Sequence, residues 1–120
     1  MAIDITCYTT LDAELLNKKI SKIKSDYNDI FDKSYIIYLA SPILERKQLE
    51  FISDKQKRYS QESKLLIAEE FGFEGARSYF MVSVNDKSFP EMNTSEIADL
   101  LRSELGKENM IVLLNNEKLI

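Results

Sequence analysis

The chain has 120 residues, 44% hydrophobic and 30% charged, with a formal net charge of −4 at pH 7. This balance fits one folded α/β domain over residues 1–120 and excludes a disordered tail; its longest apolar run, Tyr35 to Ala40, is far short of the roughly 20 residues a membrane-crossing helix needs. Histidine is absent, which removes Ser-His-Asp and Cys-His nucleophilic sites, histidine-ligated zinc and histidine pH sensing together.

The single cysteine, Cys7, excludes an internal disulfide framework, and Asp4 stands where a secretion signal would carry basic residues. A cytoplasmic location is therefore expected. The charge is uneven. Residues 1–60 hold 10 Lys and Arg against 9 Asp and Glu, whereas residues 61–120 hold 6 against 11. An acidic half repels phosphate polymers, so no nucleic-acid partner is expected, and it suits a basic protein partner.

In chain order, "IDITCY" alternates, with Ile3, Ile5 and Cys7 on one face and Asp4, Thr6 and Tyr8 on the other, as in a strand. Thr9 or Thr10 is placed to cap a helix whose apolar stripe is Leu16, Ile20, Ile23 and Tyr27. "SYIIYLA" reads as a strand covered on both faces. Residues 43–60 are ambiguous between strand and helix. From Ser53, with Gln56 three residues on, a capping pattern opens a helix running to Phe71. Its first half offers only Tyr59 as an apolar anchor; its second half is expected to face inward through Leu66, Ile67 and Phe71.

"ARSYFMVSV" predicts another strand buried on both faces, and Ile97, Leu100, Leu101 and Leu105 form the stripe of a further helix, terminated by Gly106. "MIVLL" predicts a central strand, and "NN" before "EKLI" a two-residue hairpin to a short edge strand. The order β-α-β-x-α-β-α-β-β predicts an α/β fold, with a mostly parallel sheet of four to five strands, helices on its faces and a C-terminal antiparallel hairpin.

Few motifs carry chemistry. The G-x-x-G at Gly72 and Gly75 encloses Phe73 and Glu74, an apolar ring and an anion, and reads as a helix terminator rather than a phosphate grip. Cys7 ends a strand before "TTLDA", which has neither the glycines nor the arginine that would wrap an anion, so a buried structural thiol is expected. No carboxylate spacing suits a metal, and no cofactor is expected. If the sheet is parallel, its carboxyl ends gather Thr9, Thr10, Ser41, Asn85, Asp86, Lys87 and Ser88 into a polar cluster able to take a small ligand or substrate.

Glu62, Glu69, Glu70 and Glu74 lie along one predicted helix and its exit, and Glu91, Glu96, Asp99 and Glu104 along another. These acids are either a solvated surface or one anionic face, with Tyr59, Phe73 and Phe89 as aromatic anchors. The absent catalytic set and the acidic half together point to a non-enzymatic interaction protein. An immunity protein or antitoxin that neutralises a basic toxin or enzyme is the expected kind. The alternative is a small-ligand binder or enzyme built on the strand-end cluster. Self-association through the C-terminal edge strand is a further expectation.

Overall fold

The computed structural model describes residues 4–31, 35–44, 46–84 and 92–120. Strand β1 (Asp4–Thr9) leads to helix α1 (Ala13–Asp26), a single turn α2 (Asn28–Phe31), and the short strands β2 (Tyr35–Ile37) and β3 (Ser41–Pro42). A second short helix α3 (Arg46–Leu49) and the long helix α4 (Lys55–Glu70) precede β4 (Ser78–Val84). Helix α5 (Met92–Leu105), β5 (Met110–Leu114) and β6 (Lys118–Leu119) complete the chain. The order of elements matches the sequence pattern.

The sheet itself does not. Its strands run β2-β4-β1-β5-β6, with β3 beside β4, and every pairing is antiparallel. The expectation of a mostly parallel sheet is therefore overturned. The alternation of strands and helices reported direction only within two units: β1 and β2 run one way and β4 and β5 the other, so the chain reverses across α3 and α4. It could not report adjacency. The crossovers through α1 and α5 each skip one strand, and that position is filled from elsewhere in the chain: β4 lies between β1 and β2, and β1 between β4 and β5. This is the split β-α-β arrangement, used twice.

Both sheet faces are covered, each by its own core. Ile5 and Cys7 of β1, Phe80 and Val82 of β4, and Met110 and Val112 of β5 meet Leu16, Ile20 and Ile23 of α1 and Ile97, Ala98, Leu101 and Leu105 of α5. The intervening residues Tyr8 and Leu113 face the opposite way and meet Ile43, Leu49, Leu65 and Ala68 beneath α3 and α4. The two-residue period of a strand thus delivers alternate side chains to two separate layers. β2 is narrower than "SYIIYLA" suggested: Tyr35 and Ile37 are buried, but Ile36 is 40% exposed, as befits an edge strand covered on one face.

Several local signals are displaced by a few residues. Asp12, not Thr9 or Thr10, caps α1, its carboxylate accepting from the Leu15 N–H at 2.8 Å. Asp54, not Ser53, caps α4, accepting from Gln56 and Lys57. The inward face of α4 is Leu65 and Ala68 rather than Leu66, which is 46% exposed. Gly72 adopts φ +80°, and the Phe73 N–H bonds the Ala68 carbonyl at 2.9 Å, closing the helix as a left-handed terminator does. Nothing lies within 4 Å of where a Gly72 Cβ would sit, so backbone conformation alone asks for glycine there. Asn115 and Asn116, at φ +54° and +58°, make the β5–β6 turn, with the Glu117 N–H bonding the Leu114 carbonyl. The loop holds three residues, because Leu114 pairs with Lys118.

Cys7 is fully buried, and burial raises its thiol pKa, opposed only in part by Arg102. Native protein should therefore react slowly with a thiol reagent and quickly once unfolded; equal rates would place the thiol outside the core. Burial also pushes the Tyr8 and Tyr35 phenols up from the ordinary value near 10 to about 12, with Tyr79 and Glu96 adding to the respective shifts. The unfolded chain then loses these protons first. Their contribution is complete below pH 10 and is lost as pH rises toward 12. Denaturant midpoints measured across that window should fall steadily, and a flat profile would contradict the burial of both rings.

Candidate partner-binding surface

The acidic residues fall on two surfaces, because α4 and α5 cover opposite faces of the sheet. On the α5 side, Glu96 and Asp99 are exposed, and Asp99 pairs with Arg102 at 3.1 Å one turn along. Glu104 is half-buried and accepts from the Tyr27 hydroxyl at 2.7 Å, which raises the pKa of that phenol. Two of these three carboxylates are thus engaged within their own layer.

On the α4 side, Glu70 and Glu74 are exposed and Glu69 is half-buried. Glu74 projects from a turn held between Gly72 and Gly75, both in the left-handed region. Phe73 is half-buried against the core beneath α4, so part of its ring already serves the fold. Tyr59 is different: it is 75% exposed, in a half-helix whose residues 55–60 are all exposed. Phe89 and Glu91 lie outside the described residues.

Helix α4 is held to the sheet at its C-terminal half. Leu65 and Ala68 enter the core, and the Lys64 ammonium stands 5.1 Å from the centre of the Tyr79 ring, within reach of a cation–π attraction. The phase of the helix follows from these contacts. With Leu65 and Ala68 inward, Tyr59 and Leu66 face out, and Glu62 lies between them along the helix. Beside this stretch, Leu49 and Glu50 line a groove of about 210 Å³ with Arg58 and Glu62. Phe51, the next residue, is 88% exposed.

Sequence reasoning counted Glu62 among the acids of this helix but did not place Phe51 and Leu66 on its open side. The run "LLIA" allows two helical phases, and only the complete burial of Ala68 selects between them. Phe51 follows a four-residue helix too short to show a period.

The strand-end cluster is only partly gathered. The Thr9 and Ser78 hydroxyls lie 2.8 Å apart, fully buried, and Ser78 donates onward to the Leu11 carbonyl. The Thr10 hydroxyl donates to the Asn109 carbonyl, and Ser41 is exposed on β3 opposite Tyr79. Asn85, Asp86, Lys87 and Ser88 lie outside the described residues; the chain leaves β4 at Val84, whereas Thr9 pairs with Ser78 at that strand's other end. A cleft of about 220 Å³ lies near Ser41, lined by Asp12, Ile43, Gln48 and Arg77 among others. Asp12 there is committed to capping α1. Among the described residues, no group of His, Cys, Asp or Glu could hold a metal, and no helix is long and apolar enough to cross a membrane.

The whole chain has relatives. The immunity protein CdiI-2 of Burkholderia pseudomallei (strain 1026b) is 27% identical over 117 residues, which span 98% of this chain and 97% of that protein. A chain of the CdiA-CT/CdiI toxin and immunity complex from Burkholderia pseudomallei shares the fold, with a TM-score of 0.67 at 24% identity over 98% of this chain and 96% of that one. The family model described as CDI system immunity component matches residues 1–118, and the chain belongs to that family.

Proposed function

We propose that this chain neutralises a toxin of its own CDI system by binding it, without catalysing a reaction, and that it does so in the cytoplasm. The observation carrying the reading is the match of the immunity-component family over residues 1–118. A relative named as an immunity protein and a fold shared with a toxin and immunity complex support it. The chemistry of the surface agrees with a binder. Histidine is absent, Cys7 is buried with its pKa raised, and the exposed charge is mostly anionic in the second half of the chain.

The toxin surface is basic in this reading, and the acids at the exit of α4 steer it in. Glu70 and Glu74 are exposed at the exit of α4, beside Glu69 and Phe73, while Asp99 and Glu104 on the opposite face already serve Arg102 and Tyr27. Charges at the rim of an interface mainly raise the association rate, and their effect fades as the Debye length falls from about 10 Å at 0.1 M salt to about 3 Å at 1 M.

Mixing the purified chain with the toxin domain should give a stable complex and abolish toxin activity. Absence of a complex would overturn the neutralisation reading. Reversing Glu70 and Glu74 to Lys should slow association at low salt on the order of tenfold, with little change in dissociation or in folding stability. The deficit should shrink at high salt. An unchanged rate at low salt would leave those acids as solubilising groups only.

A further inference from the structure

The half of α4 that the fold does not use raises a separate question. Residues 55–60 extend the helix by about 9 Å beyond its anchored part and are exposed throughout. A solvated helical extension needs no large aromatic side chain, yet Tyr59 stands on it with 75% of its surface open. Leu66, two turns on, lies about 20° from Tyr59 around the helix axis and is 46% exposed. Phe51 adds a third open apolar group, at 88%, beside the groove that Leu49 and Glu50 share with Arg58 and Glu62. Single exposed apolar residues are ordinary on protein surfaces. Three of them, each next to or one helical turn from a residue that lines the groove, and each open although its neighbours Leu49, Leu65 and Ala68 enter the core, are not accounted for by folding.

The charges around them are mixed, with carboxylates in excess, and Arg58 lines the groove beside Glu50 and Glu62. On the side of Tyr59 and Leu66, Glu62 stands between the two and Glu70 one turn beyond, with Lys55 at the start. Lys57 and Lys64 are turned about 160° away from Tyr59 and Leu66 respectively, and Lys64 is occupied over Tyr79. Glu50 supplies a further carboxylate across the groove. The result is an apolar centre whose rim carries three carboxylates, Glu50, Glu62 and Glu70, against the cations Arg58 and Lys55, an arrangement in which large anchors hold a complex and rim charges select its partner.

We infer that Phe51, Tyr59 and Leu66, rimmed by Glu50, Glu62 and Glu70, form the docking surface for the toxin, which meets it with an apolar side chain flanked by Lys or Arg. The inference rests on the toxin-binding reading above and adds where the contact is made. The basic character of the occupant follows from the rim, since a lysine or arginine stem can lie along Tyr59 or Leu66 while its charge reaches Glu62 or Glu70. The groove beside Glu50 has the size to admit one such side chain.

The test is binding kinetics of full-length variants with the catalytically inactivated toxin domain. Phe51→Ala and Tyr59→Ala should each speed dissociation on the order of 10- to 30-fold with association nearly unchanged. Leu66→Arg, which keeps helix propensity and sets a cation against a basic partner, should weaken binding at least as much. All three positions are exposed, so thermal midpoints should match that of the parent chain, and any variant that fails this check is replaced by Ser at the same position. If the parent chain forms no complex, it is the toxin-binding reading that falls. If the complex forms and all three variants match the parent, this inference is overturned, and weakening by Glu96→Lys with Asp99→Lys would put the docking surface on α5.

Discussion

Strand β1 is paired on both edges and covered on both faces, and the rest of the molecule is arranged by that constraint. Its six residues pair with β4 on one side, and five of them with β5 on the other, always antiparallel. Its side chains alternate between the layer of α1 and α5, reached by Ile5 and Cys7, and the layer of α3 and α4, reached by Tyr8. A strand in that position cannot leave the two helical layers in contact. It makes them two surfaces, each with its own core, its own hydrogen bonds and its own exposed charges. Hence α4 and α5, both acidic in sequence, do not pool their carboxylates into one field.

The layers differ in how completely they are used. Helix α5 buries Ile97, Ala98, Leu101 and Leu105 along its length, and its acids Asp99 and Glu104 bond to neighbours within their layer. Helix α4 buries Leu65 and Ala68, half-buries residues 61–64, 67 and 69, and leaves residues 55–60 outside. Local signals keep it helical there: the Asp54 cap at its start, and Gly72 just past its end. A helix held at one end, with Tyr59 free at the other, is suited to contact a second molecule, since docking requires no rearrangement of the core.

Much of this was readable from residues. The alternation of "IDITCY", the stripe of Leu16, Ile20 and Ile23, the stop at Gly72 and the turn at Asn115 and Asn116 each rest on local stereochemistry, which sequence carries directly. The order of strands rests on which segments meet across the sheet, and no local signal in "SYIIYLA" or "ARSYFMVSV" says that these two will be neighbours. The phase of "LLIA" was hidden for a related reason, because Leu65, Leu66 and Ile67 are equally apolar and only the neighbouring Tyr8 and Leu113 decide which turns inward. Charge followed the same rule. Counting acids located an anionic half of the chain, but not that a sheet divides it, so Glu70 and Glu96 were read together and stand apart.

The account turns on one claim, that the partner meets the α3–α4 side of the sheet and not the α1–α5 side. Amide hydrogen exchange of the chain, alone and saturated with the toxin domain, tests this most directly. In the free chain the exposed amides around residues 55–60 should exchange fast, which gives the experiment its range. The account predicts strong slowing on binding across residues 50–70, with residues 95–105 exchanging as before. Slowing confined to residues 95–105, with residues 50–70 unaffected, would contradict it.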